Sequence, residues 1–373
     1  MKKCCLFSIM MIAALLLCAA ASAETLYSGT CGDALTWKLD DQGVLTISGT
    51  GGMTDYSFAG SPWNNQRSLV KKVVIEDGVT RIGTSAFMSC TTLSEITIPD
   101  TVTTIGEWAM DGTGLPSVTI PAGVTGIGDR ALSTNYKLTN IYVQSGSSSF
   151  VDVDGVLFTK DGTKLIQFPA GREGTYAVPD GVTHIGVLAF GWAQKLTAIT
   201  LPDTLREIDE RAFQAAIRLT RINIPEGVTG LLEYTFSSCV KLEEITLPAS
   251  LKNIGKNVFA RCDQLKNVYY GGIKPQWNAI SIIGGNDPLA AANIICREMK
   301  TAVLPANLTA IDAEAFTGAV FDAVIVPDGC ASIGSRAFAD CKNLYQVSLP
   351  STAVNIAENA FEGSENAVIE YRN

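Results

Sequence analysis

The chain has 373 residues, with 28 lysines and arginines against 37 aspartates and glutamates, for a formal net charge of −9. An acidic balance of that size disfavours nucleic acid and anionic lipid as partners. The single histidine, His184, excludes multi-histidine zinc sites and leaves any Ser-His-Asp or Cys-His chemistry resting on one residue.

Residues 1–23 read as a secretory signal peptide. Lys2 and Lys3 give a basic start, an apolar run extends from Leu6 to Ala20, and Ala21-Ser22-Ala23 is a small-residue cleavage site. Lipid attachment at Cys18 is disfavoured by the leucines before it. The apolar run is short for a bilayer, and no other stretch approaches about 18 consecutive apolar residues, so no membrane span is expected. Removing the two lysines would move the net charge from −9 to −11. Three of the ten cysteines would leave as well, and an odd seven excludes a fully paired set within one chain.

Residues 24–72 are expected to form a β-rich N-terminal cap. The stretch "LTWKLDDQGVLTISG" gives two alternating strands around an Asp-Gln-Gly turn, suited to covering the open face of a coil.

From 73 to 373 the chain repeats itself. Aligned on the isoleucine of a "VTxI" element, copies fall at Ile82, Ile105, Ile127, Ile185, Ile208, Leu231, Ile254, Ile311, Ile333 and Ile356, with spacings of 23, 22, 58, 23, 23, 23, 57, 22 and 23. In one copy, "LSEITIP" is a short strand ended by Pro99, because proline cannot donate a ladder hydrogen bond. Gly83, Gly106, Gly128, Gly186, Gly255 and Gly334 follow the isoleucine, and a turn with positive φ is expected there. An aromatic plug comes next, Phe87 in the first copy. One unit buries about six large apolar side chains at roughly 2 kcal/mol each. Ordering its backbone costs about 1 to 2 kcal/mol per residue. A single copy therefore does not fold, and stacking supplies the missing core.

The line I-x-I-P-x-x-V-T-x-I-G-x-x-A-F-x-x-C-x-x-L resembles the BspA-like leucine-rich repeats of bacterial surface and secreted proteins, from about Val73 to the C-terminus. The front segment, "SGTCGDALTWKLDDQGVLTISGTGGM" followed by "SPWNN", is similar to the region preceding the repeats in that family. The fold expected is a repeat solenoid: a right-handed leucine-rich-repeat array of short parallel strands and turns, with little helix. Irregular inserts are expected near 144–178 and 271–300. The first reads as a hairpin turning at Asp161-Gly162 and projecting from the stack. The second contains Trp277 and a short helix near Leu289.

Candidate chemistry is sparse. His184 fills the variable position of "VTHIG" and reads as a surface residue, with no partner apparent among the repeat positions around it. Cys90, Cys239, Cys262 and Cys341 follow the plug by three residues, where other copies have alanine, so they read as small core residues. Cys239 and Cys262 would sit close enough on adjacent turns for a disulfide. "VDVDG" at 151–155 has the first aspartates of a calcium loop without the rest, and "LPSTA" at 349–353 is the repeat's own strand and proline. No catalytic residue, metal site or cofactor is expected.

The outward column of the strand ladder reads Val74, Thr97, Thr119, Tyr142, Ala177, Thr200, Asn223, Thr246, Tyr269, Ile325 and Ser348, almost without charge. Tyr142, Asn223 and Tyr269 are the candidate binding residues, the tyrosines because exposed aromatics often anchor recognition. A secreted, monomeric, non-enzymatic binding protein is expected, extracellular and in places associated with the cell surface. The resemblance implies adhesion to host matrix proteins, other extracellular proteins or glycoproteins, or neighbouring bacterial surfaces. A structural spacer of the cell envelope is the first alternative. An extracellular hydrolase using scattered carboxylates is the second.

Overall fold

The structure, a computed structural model, describes residues 23–352 and 354–372; apart from Ala23, the expected signal peptide lies outside the described residues. The chain forms two compact units. One comprises the described residues through Gly174 with Ile185–Lys195 and Ala212–Ala216, and the other Thr175–His184, Leu196–Arg211 and the described residues from Ile217 onward. Both are coils of short parallel strands. Among the described residues, helix is confined to two five-residue segments and one 3-10 turn.

In the first unit, Thr25–Gly32, Leu35–Asp40 and Val44–Gly49 form an antiparallel meander. Its second turn closes because Asp40 Oδ1 accepts the N–H groups of Gln42 and Val44, each at 2.9 Å. Val44–Gly49 then switches to parallel pairing with Lys72–Ile75, which pairs with Glu95–Thr97. Each coil adds one strand to this ladder and a shorter one to a second ladder, where Val79–Ile82, Thr104–Ile105 and Gly126–Ile127 lie in register. The prolines link the two. Pro99 O accepts from Val102 N at 3.1 Å and Pro121 O from Val124 N at 3.2 Å, so each strand ends in the same tight turn.

Beyond the second ladder, a third set of hydrogen bonds joins successive coils. The N–H groups of Ser85, Phe87 and Ser89 reach the carbonyls of Glu107, Ala109 and Asp111 at 2.8 to 2.9 Å. To aim alternate N–H groups the same way, the residues two before and two after the plug take left-handed φ: Ser85 at 55° and Ser89 at 60°, Leu188 at 53° and Trp192 at 61°. This overturns the expected role of the glycines. None of Gly83, Gly106, Gly128, Gly186, Gly255 and Gly334 has positive φ. They are needed for close approach: a Cβ on Gly128 would lie 2.5 Å from Glu107 N, and one on Gly83 2.0 Å from Thr54 O.

The plugs form a column. Trp63, from "SPWNN", stacks on Phe87 with centroids 5.5 Å apart and donates Nε1–H to Ala86 O at 2.8 Å. Further along the same unit, Phe168, Phe190 and Phe213 stack at 5.1 Å intervals.

Phe168 belongs to the first insert, which does not project as expected. Phe150–Val153, Val156–Thr159 and Lys164–Gln167 make an antiparallel set, and Val156, Leu157, Phe158 and Leu165 are 0 to 1% exposed. Gly186 N donates to Leu165 O, as Gly106 N donates to Ile82 O, so Leu165 takes the place of the repeat isoleucine. The long spacing is thus one full coil plus an inserted hairpin, and its apolar residues face inward because they complete that coil.

In the second unit, Arg221–Asn223, Glu244–Leu247, Asn267–Tyr270 and Asn293–Cys296 form one parallel ladder, and Gly230–Leu231, Asn253–Ile254 and Ser281–Ile282 run in the other. The second insert carries the helices Lys274–Asn278 and Asp287–Ala291. Trp277 packs edge-on against Tyr270 at 5.4 Å, and Leu289 is buried. Asn286 stands in for backbone here, its Oδ1 accepting Phe259 N–H at 2.9 Å. A further ladder begins at Thr301–Val303 and continues through Ala323–Ile325 and Gln346–Leu349 to Val368–Tyr371. Its start is fixed by Asp322, which accepts from both Arg297 nitrogens and from Lys300 N, each at 2.7 Å. Phe316, Phe338 and Phe361 stack at 5.2 and 5.3 Å.

Candidate binding surface

Alternation along each first-ladder strand sends one residue inward and the next to solvent. In Asn267–Tyr270, Val268 and Tyr270 are buried while Tyr269 is 36% exposed. Parallel pairing then lines up residues from successive coils: Asn223 beside Thr246, Thr246 beside Tyr269, Tyr269 beside Ile295. Neighbours on such a column stand about 4.8 Å apart. Asn223 and Tyr269 thus share one face of the second unit, two rungs apart. Tyr142, 47% exposed, lies in the first unit beside Thr119.

Charges flank this column and pair with one another. Lys72 meets Glu95 at 2.6 Å, Arg221 meets Glu244 at 3.3 Å and Lys266 meets Glu243 at 3.2 Å. Such exposed pairs add little stability. They do leave a central strip of hydroxyl, amide, aromatic and aliphatic groups. The sequence column omitted Ile295 and Val303, which are 38% and 71% exposed. Asn293 follows Asn267 by 26 residues, so the insert shifts the repeat out of step there. The paired β-branched residues of "NIIC" are the one local signal that a strand had resumed, its alternating exposure being evident only once folded.

The other candidates resolve as follows. His184, read as partnerless, has Asp209 Oδ2 2.8 Å from Nε2 and Glu207 Oε2 3.5 Å from Nδ1. Those carboxylates come from the next coil, 23 and 25 residues on. Among the described residues the seven cysteines are reduced, and all are buried except the half-buried Cys296. Burial pushes the thiols of Cys90 and Cys262 up to about 12 and that of Cys31 to about 11, so they stay protonated at neutral pH. Cys262 Sγ sits 3.1 Å from Phe236 O, a weak donor in a core site. In "VDVDG", Asp152 Oδ1 accepts Val143 N–H at 2.7 Å and Asp154 pairs with Arg172. Among the described residues, no group of three or more His, Cys, Asp or Glu side chains is arranged to hold a metal, and no helix is long and apolar enough to cross a membrane.

Residues 63–169, 175–275 and 294–371 match the family model described as BspA type Leucine rich repeat region, in six copies. No curated protein matches the chain. Among solved structures, the pneumococcal vaccine antigen PcpA is 17% identical, with 92% of this chain and 98% of that chain covered and a TM-score of 0.50. A leucine-rich repeat protein from Eubacterium ventriosum is 22% identical, covering 93% and 97% respectively, with a TM-score of 0.46. A leucine rich cell surface protein from Faecalibacterium prausnitzii is 25% identical, covering 70% and 99%, with a TM-score of 0.49.

Proposed function

The chain belongs to the BspA-type leucine-rich repeat family, and on that premise we propose that it is a secreted, non-enzymatic binding protein that recognises extracellular proteins or glycoproteins through its outward strand face. The observation that carries this reading is the uncharged column Asn223, Thr246, Tyr269 and Ile295, bordered by charges that satisfy one another. Tyr142 offers a second aromatic contact in the first unit. Exposed tyrosine brings a large rigid surface at low entropic cost, and a neutral strip is cheap to desolvate. Many weak contacts spaced about 4.8 Å apart suit an extended partner.

The test is equilibrium binding of the purified protein to immobilised matrix proteins, mucins and bacterial cells. Saturable binding to at least one of these is expected. Linear, unsaturable signal across the whole panel would end the proposal.

A further inference from the structure

The second ladder of the second unit carries a hollow of about 550 Å3 on a different set of strands from the tyrosine column. In register, Gly230 lies beside Asn253 and Asn253 beside Ser281. Two positions further on, Gly255 stands between Leu232 and Ile283, which are 50% and 54% exposed. The missing side chain of Gly230 opens the hollow. A Cβ on Gly230 would meet nothing nearer than 3.9 Å, so that rung is open to solvent. Leu232 and Ile283 are two rungs apart, roughly 10 Å, a gap that admits one aliphatic side chain.

Three carboxylates line the same hollow: Glu207, Asp209 and Glu233. Its one lining cation, Arg206, is turned onto backbone, with Nη1 2.7 Å from both Asp203 O and Leu205 O. Lys252 and Lys256 belong to adjoining positions but do not line it. His184 lies against Asp209 and Glu207 without lining the hollow. An aliphatic notch with acidic walls selects against anionic ligands, which it repels, and against neutral sugars, which would leave two half-exposed aliphatic side chains uncovered.

We propose that this hollow binds an extended peptide segment in which lysine or arginine alternates with an aliphatic residue, the aliphatic side chain seated against Leu232 and Ile283 and the cation against Asp209 and Glu233. The assignment rests on the binding-protein reading but not on the tyrosines. The test uses the purified protein and three fluorescent octapeptides: alternating Leu-Lys, alternating Leu-Glu and alternating Ser-Lys. Saturable binding of Leu-Lys is expected, at least tenfold tighter than either control and weakened by added salt. The exposed double variant Leu232→Ser/Ile283→Ser and the charge variant Asp209→Asn/Glu233→Gln should each lose at least tenfold, with thermal unfolding unchanged for the first. Neither should alter binding to the panel above, which separates failure here from failure of the broader reading. Equal binding of Leu-Lys and Ser-Lys, tighter binding of a neutral oligosaccharide, or indifference of Leu-Lys to both variants would overturn the proposal.

Discussion

Two buried aspartates make opposite contributions as pH changes. Asp322 is 2% exposed and held by Arg297 and Lys300, and the Arg297 guanidinium keeps its carboxyl below the ordinary range. Its contribution is complete above the ordinary carboxylate range and is lost as pH falls through the depressed folded value. Asp322→Ala should cost on the order of 3 kcal/mol at neutral pH by denaturant unfolding, because it strands Arg297 and a backbone N–H. Asp111 is 6% exposed, and burial pushes it up to about 6 despite a 2.7 Å bond from Thr134. Its folded state holds the proton more tightly, so stability declines as pH rises from about 4 to 6. Asp111→Asn should therefore stabilise by about 1 to 3 kcal/mol at pH 7 and change little at pH 3.5; equal gain at both values would contradict the assignment. In the sequence these are two acids among many, since nothing local marks Arg297 as a neighbour 25 residues away.

Strand, proline turn and plug were all readable as periodic positions, because each is fixed by a side-chain property that recurs. The left-handed residues flanking each plug were not, because serine, tryptophan, arginine, tyrosine and aspartate fill them without pattern. What they share is a backbone direction imposed by the next coil. Ser238, at φ 64°, donates its N–H to Ala260 O at 2.7 Å. Ser238→Val should cost about 1 to 2 kcal/mol and Ser238→Gly little, since a β-branched residue is strongly disfavoured there. The inserted hairpin was legible as a hairpin but misplaced as a projection, since its turn chemistry is local whereas the burial of Phe158 depends on the coil it completes. Phe158→Ala should cost about 3 to 5 kcal/mol, where a projecting loop would lose less than about 0.5 kcal/mol.

At the scale of the whole molecule, the chain spends most of its sequence on sealing one coil against the next and leaves function to what remains outside. That division explains why family and fold were legible from the repeat line, whereas the face proposed to bind a partner was traceable only where a column departs from its habit, as at Tyr142 and Tyr269. It also explains why Ile295 was missed, since it lies beyond a shift in the period. The chemistry follows the same logic: the buried thiols and the histidine lying between carboxylates serve packing and local charge, and the exposed strips are where recognition is proposed. The most direct measurement is equilibrium binding of Tyr269→Ala and of Tyr142→Ala to whichever panel ligand the unaltered protein saturates, with thermal unfolding recorded in parallel. The account predicts at least a tenfold loss of affinity for one or both at unchanged unfolding temperature; full affinity in both variants would contradict it.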